Sequence, residues 1–217
     1  MNDSHIHALI EVLKEELRRW EPAAVARISR RGDPFKVLVS TIISSRTKDQ
    51  VTIGAYTRLF ALAQTPGDLA RLDLHTISRA IYPAGFYHTK ARNLKKASQI
   101  IFEKYGGKVP DSMEELLKLP GVGRKTANLV LNLGFGKAGI CVDTHVHRVS
   151  NRLGYIKTSS PEQTERALRE KLPPEYWIEY NGLLVSFGKN VCTPVSPFCS
   201  KCRVSKFCEK VGVTQSR

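Results

Sequence analysis

The sequence predicts an all-α fold. Three observations carry this. Apolar residues recur at three- and four-residue spacing through much of the chain. Period-two alternation over several residues is hard to find. Asp-Pro, Thr and Pro-Gly punctuation stands where short helices would start and stop.

Taken in order, Ile6, Leu9, Ile10, Leu13, Leu17 and Trp20 form one apolar stripe, a first helix. Asp33-Pro34 opens an apolar stretch over residues 35–43. That pattern suits a buried helix with Pro in its first turn. Val51, Ala55, Leu59 and Ala63 make a second stripe. Residues 68–72 and 73–81 read as short helices. Thr89 is placed to cap a long basic helix over residues 90–105, with Ala91, Leu94, Ile100 and Ile101 inward. Asp111 followed by Glu114 has the look of a capping box. Met113, Leu116 and Leu117 give the helix after it an inner face.

The chain has 217 residues, 41% of them hydrophobic, enough for one medium domain or two small ones without disulfide staples. Lys plus Arg number 34 against 20 Asp plus Glu, a net charge of +14. An excess of that sign implies a polyanionic partner, nucleic acid before an anionic membrane. No apolar run approaches the roughly 20 residues that span a bilayer. Residues 1–16 mix Asp, His, Lys and Glu with apolar residues and lack a secretory signal pattern. The expected compartment is the cytosol, or a nucleoid within it. No repeat or Gly/Ser linker divides the chain.

Leu119-Pro120-Gly121-Val122-Gly123 stops the helix that precedes it. Two glycines two apart permit positive φ and a close backbone approach to a ligand. A second helix is expected over residues 124–133. Amides at a helix start, with the positive dipole end behind them, make an anion site. The plainer reading is a helix-stopping turn and no more. Lys125 falls in the first turn of that second helix, where the dipole opposes a protonated amine. An ordinary lysine is neutral about one part in a thousand at pH 7.4, and an amine nucleophile needs more than that. A phosphate contact or a solvated surface lysine is its plainer role.

Asp143 sits at an N-cap position before a helix expected to run to about residue 153. Helix amides that reach a carboxylate stabilise its charged form, which suits a group facing developing positive charge. The cap and the chemical role are compatible. His145 and His147 diverge on a helix and do not make a metal pair. Cys141 reads as a small buried apolar residue.

The other cysteines, Cys192, Cys199, Cys202 and Cys208, are spaced C-x6-C-x2-C-x5-C. Disulfides do not suit a reducing compartment. Four thiolates hold either zinc or a [4Fe–4S] cluster. Only Cys199 and Cys202 form a short knuckle, and the longer flanking gaps lean towards iron–sulfur. Lys201, Arg203, Lys206 and Lys210 make the loop basic, fit to meet phosphates.

These residues carry a resemblance. The run from Leu119 to Ala127, Leu-Pro-Gly-Val-Gly-Arg-Lys-Thr-Ala, resembles the helix-hairpin-helix of the endonuclease III family of DNA glycosylases. Val142-Asp143-Thr144-His145-Val146 is similar to that family's catalytic aspartate segment, and the cysteine gaps are similar to its iron–sulfur loop. Each motif alone is suggestive; the three in this order are specific, and the similarity runs through nearly the whole chain.

The resemblance implies a six-helix barrel over residues 27–137, containing the hairpin at 111–134. It implies a second helical domain of residues 1–26 and 138–217, with a [4Fe–4S] cluster held in the loop 192–208, and a DNA cleft between the two. It implies base excision repair: a damaged pyrimidine flipped from double-stranded DNA, Lys125 attacking C1′, and a Schiff base that permits β-elimination. Asp143 would assist the lysine. Gly121, Val122, Gly123, Arg124, Lys201 and Arg203 would meet DNA. The substrates implied are oxidised or ring-saturated pyrimidines, such as thymine glycol and 5-hydroxycytosine, and abasic sites. One lesion in one cleft implies a monomer.

There are departures from the family pattern. Where bacterial members have Gln in a Ser-Ala-Gln-Ala-Thr-Asp run, this chain has Arg46 in Ser44-Ser45-Arg46-Thr47-Lys48-Asp49. Arg fills the gap left by a flipped base and has guanine as its best partner, so a guanine preference opposite the lesion is expected. Phe86 replaces a Leu wedge, and an aromatic wedge stacks on a base for about 1–3 kcal/mol; its plainer role is a core aromatic. Residues 193–198 lack basic side chains, leaving that phosphate contact to Lys189 and Lys201.

Three readings stay distinct. A bifunctional glycosylase/lyase requires the amine of Lys125. A monofunctional mismatch glycosylase of the same fold does not, and such relatives carry Ser or Tyr there. A DNA-binding module without catalysis has no use for the carboxylate of Asp143. A zinc-bearing nucleic-acid protein differs from all three in lacking blue–violet absorbance.

Overall fold

A computed structural model of the protein describes residues 5–20, 22–28 and 32–217. Among these residues every regular element is helical and no strand forms. No helix among them is long and apolar enough to cross a membrane. The chain makes two compact units, Ala24–Lys137 and Met1–Ala23 with Ala138–Arg217. The first begins at Ala24, ahead of the expected residue 27. The reason is α2 (Ala24–Ile28), which packs on α3 (Pro34–Ser44) and α4 (Asp49–Leu62).

The Ala24–Lys137 unit is built around α3. Its sequence is apolar at consecutive positions rather than along one stripe, so Phe35, Val37, Leu38, Val39, Ile42 and Ile43 are all buried. Asp33 caps it, Oδ1 accepting the amides of Phe35 (2.9 Å) and Lys36 (3.2 Å). Beyond α4 come α5 (Pro66–Arg71), started by a Thr65–Asp68 capping box, and α6 (Leu74–Ile81), capped by Asp73. The 19-residue α7 (Tyr87–Tyr105) packs Ala91, Leu94, Ala97 and Ile101 inward, against α3, α5 and α6. The hairpin follows as α8 (Met113–Leu117) and α9 (Arg124–Leu129), the latter passing into a π turn at Val130–Gly134.

Three element limits differ from the sequence reading. α7 starts at Tyr87, three residues before the expected start, and Phe86 rather than Thr89 is its N-cap. Ser112, not Asp111, caps α8, accepting the Glu115 amide at 3.3 Å; Asp111 instead pairs with Lys137 at 2.6 Å. The second hairpin helix loses α geometry after Leu129, where α9 and the π turn pack on α3.

In the other unit the predicted stripe of α1 (Ile6–Leu17) holds. Ile6, Leu9, Ile10 and Leu13 are buried, and α1 packs on α12 (Trp177–Asn190). α10 (Thr144–Arg152) packs on α12 and on α11 (Pro161–Lys171). Tyr180 is wholly buried; burial pushes its phenol up to about 12, and Ser150 Oγ lies 3.1 Å from its hydroxyl.

Gly134 closes the π turn against the start of α3. A Cβ there would stand 2.8 Å from Pro34 Cα, a backbone atom with little room to yield. Gly134→Ala is expected to cost about 1–3 kcal/mol, seen as a lower urea midpoint at unchanged slope.

Candidate nucleic-acid interface and active site

The hairpin turn is held from beneath. Leu119 and Val122 are buried, and the Val122 amide donates to the Leu119 carbonyl at 3.1 Å. Gly121 has φ +80°, and a Cβ on it would sit 2.8 Å from Asn93 Nδ2, so glycine is required twice over. Gly123 is the N-cap of α9, its carbonyl accepting the Ala127 amide at 2.9 Å. A Cβ on Gly123 would meet no atom within 4 Å, so this face of the turn is open. Arg124 and Lys125 follow on the first turn of α9, both exposed. In α8, Glu115 accepts from Lys118 and the Tyr105 hydroxyl, and those bonds hold its carboxyl at about 2.

Arg46 and Phe86, far apart in sequence, meet. The Arg46 guanidinium lies 5.6 Å from the centre of the Phe86 ring. Both side chains are exposed, Phe86 at 63%, so it is no core aromatic. Both have left-handed backbone, φ 50° at Arg46 and 57° at Phe86. Beside them Lys90 is buried, 6% exposed. Its Nζ donates to the carbonyls of Ile43 (2.7 Å) and Ser45 (2.6 Å) and to Thr47 Oγ1 (2.9 Å). Burial lowers this amine to about 8. Sequence reading saw Lys90 only as the start of a basic helix; nothing in its spacing signals the carbonyls that receive it.

In the other unit, Ile140 and Cys141 are buried and lead to Asp143. Asn181 Nδ2 donates to the Cys141 carbonyl at 3.1 Å. Asp143 is the N-cap of α10, Oδ1 accepting the amides of His145 (2.8 Å) and Val146 (2.9 Å). The histidines diverge: His145 Nδ1 lies 3.2 Å from Arg148 Nη2, and His147 Nδ1 is 2.7 Å from Thr164 Oγ1.

Cys192, Cys199, Cys202 and Cys208 are free, half-buried and line one cavity with Val149, Leu153 and Phe187. Burial, then the neighbouring thiols, pushes Cys202 up to about 11, and burial also raises Cys208. Two arginines of α10, which the sequence reading missed, fix this loop. Arg148 Nη2 donates to the Cys192 carbonyl (2.9 Å) and to Gly188 (3.0 Å). Arg152 donates to Thr193 and Pro194 carbonyls, both at 2.7 Å, and approaches Cys192 Sγ at 3.6 Å. Lys201 is exposed on the loop. Arg203, expected at a phosphate, has its guanidinium on Glu15 (3.0 Å) and Glu16 (3.1 Å), where it ties the loop to α1.

The HhH-GPD superfamily of base excision DNA repair proteins matches residues 39–174. Endonuclease III of Thermotoga maritima is 49% identical over 90% of this chain and 92% of its own length. The chain belongs to the endonuclease III family. Two solved endonuclease III structures share the fold. A non-covalent endonuclease III–DNA complex matches with TM-score 0.86 at 33% identity, covering 97% of this chain and 96% of that one. A trapped endonuclease III–DNA covalent intermediate with an estranged adenine matches with TM-score 0.83 at 32% identity, covering 97% of both. As a member of the endonuclease III family, the protein is an enzyme of base excision DNA repair.

The cap at Asp143 separates structure from charge. Asp143→Ala removes the oxygen that accepts both amides and is expected to cost about 1 kcal/mol. Asp143→Asn keeps an acceptor and is expected to melt near the wild type. Thermal unfolding of the two variants checks this.

Proposed function

We propose that this enzyme is a bifunctional glycosylase and abasic-site lyase acting on oxidised or ring-saturated pyrimidines, such as thymine glycol and 5-hydroxycytosine, in double-stranded DNA. The observation that carries the reading is Lys125, an exposed primary amine on the first turn of α9, just past the open face of the Gly121–Gly123 turn. That turn and Arg124 hold the phosphate backbone. Flipping the damaged nucleotide costs a few kcal/mol of stacking and pairing. Arg46 and Phe86 occupy the gap, with Arg46 favouring guanine on the far strand.

Lys125 Nζ bonds to C1′ as the C1′–base bond breaks, and the base leaves with a proton. The C1′–O4′ bond then breaks, O4′ takes a proton from solvent, and an iminium is left between C1′ and Nζ. Loss of a C2′ proton then breaks the C3′–O bond and expels the phosphate on the 3′ side. We assign Asp143 the part of the carboxylate that assists the lysine and stabilises positive charge on the sugar. A duplex with one thymine glycol tests the scheme. Wild type is expected to release the base and nick the strand. Lys125→Ala and Asp143→Asn are expected to lose at least about a hundredfold in both. Base release without nicking by the wild type would make it monofunctional. Binding with neither reaction would leave a DNA-binding module.

We assign Cys192, Cys199, Cys202 and Cys208 to a [4Fe–4S] cluster. The residues fit the group. Four free thiols line one apolar cavity, where thiolates need a cationic partner. The Lys210 amide reaches Cys208 Sγ at 3.3 Å, a donor of the kind cluster sulfurs accept. The bound cluster supplies metal–thiolate cross-links that stiffen the loop presenting Lys201 to a phosphate. Cys202→Ser is expected to lose blue–violet absorbance and DNA affinity before the core unfolds; full absorbance with wild-type binding would contradict the assignment. One lesion needs one set of these residues, so the working form is a monomer, and the +14 charge keeps it on the DNA of its compartment.

A further inference from the structure

Lys90 lies buried behind the two residues placed against the far DNA strand, and the reaction above makes no use of it. A lysine in such a place is costly, and an apolar side chain would fill the volume at less cost. Its contacts show what the amine does there. α3 ends at Ser44, and the carbonyls of Ile43 and Ser45 at that end both accept from Nζ. The third acceptor, Thr47 Oγ1, also receives the Gly85 amide at 3.1 Å. The main-chain amide of Lys90 donates to the Phe86 carbonyl at 3.0 Å. One residue therefore holds both loops, side chain to residues 43–47 and backbone to Phe86.

The loops need holding. Left-handed backbone at a non-glycine residue is strained and persists only where its surroundings over-determine it. Arg46 and Phe86 are both in that state. Gly85 completes the lock: a Cβ there would come within 2.6 Å of the Arg46 carbonyl oxygen, so the two loops touch backbone to backbone.

We propose that Lys90 is a positioning residue for far-strand recognition, bonding the Arg46 and Phe86 loops into one rigid unit so that both side chains enter the duplex together. The proposal rests on the reading that Arg46 and Phe86 occupy the duplex. The probe is a duplex with a tetrahydrofuran abasic analogue opposite 2-aminopurine, whose fluorescence rises when that base is unstacked. Arg46→Ala and Phe86→Ala test the underlying reading. If neither changes the fluorescence gain or the opposite-base ranking of affinity, that reading fails.

If they do change it, Lys90→Met decides the proposal. At a temperature where it is folded, it is expected to lose at least about threefold of the fluorescence gain and to flatten the opposite-base ranking. A folded Lys90→Met with lower melting temperature but wild-type gain and ranking would make Lys90 a core residue only and overturn the proposal. Should Lys90→Met not fold, Thr47→Val removes the hydroxyl that Lys90 and Gly85 share. It is expected to shift the same two readouts in the same direction, and an unchanged ranking in that variant would equally overturn it.

Discussion

Short helices leave many unmatched backbone groups, four amides at each start and four carbonyls at each end. The described residues turn through twelve α-helices, half of them nine residues or fewer, so satisfying their ends is the constraint on which the rest depends. Ordinary starts are closed by ordinary caps, Asp33, Thr65, Asp73 and Ser112. The proposed functional residues stand at the ends treated differently. Asp143, the proposed acid, closes α10 with its carboxylate. α9 opens from a glycine with no side-chain cap, which leaves its first turn to a ligand. The carbonyls ending α3 are met by a buried ammonium.

The same economy runs through the cysteine loop. A loop rich in Pro and Ser, with three-residue 3-10 turns, has little regular structure to fix it. Arg148 and Arg152 project from the helix that Asp143 starts, and they hold the loop by its carbonyls. Arg203 holds it to α1. The helix that Asp143 starts and the thiol cavity are thus parts of one braced body. Charges that composition alone would assign to DNA are partly engaged in this bracing.

The sequence made much of this legible because the signals were local. The α1 stripe, the Asp33-Pro34 start, the Asp143 cap and the cysteine spacing each lie within a few residues and depend on no distant partner. The hairpin motif was equally local, and Lys125 is named by its place in it. What stayed hidden was long-range. Lys90 became a functional candidate only when the fold carried it to carbonyls more than forty residues away. The ion pairs of Arg203 stayed hidden for the same reason, since its acidic partners lie at the other end of the chain. The start of α7 escaped because Phe86, in left-handed geometry, is an N-cap that no composition rule anticipates. Asp111 and Ser112 were a one-residue ambiguity between two good capping residues.

The central claim is that one amine, Lys125, does the covalent work. The most direct measurement is to reduce the enzyme with borohydride during reaction on a thymine-glycol duplex, digest the adduct and map the modified residue by mass spectrometry. The account predicts a single reduced sugar adduct on Lys125. An adduct on any other amine, or strand nicking with no adduct, would contradict it.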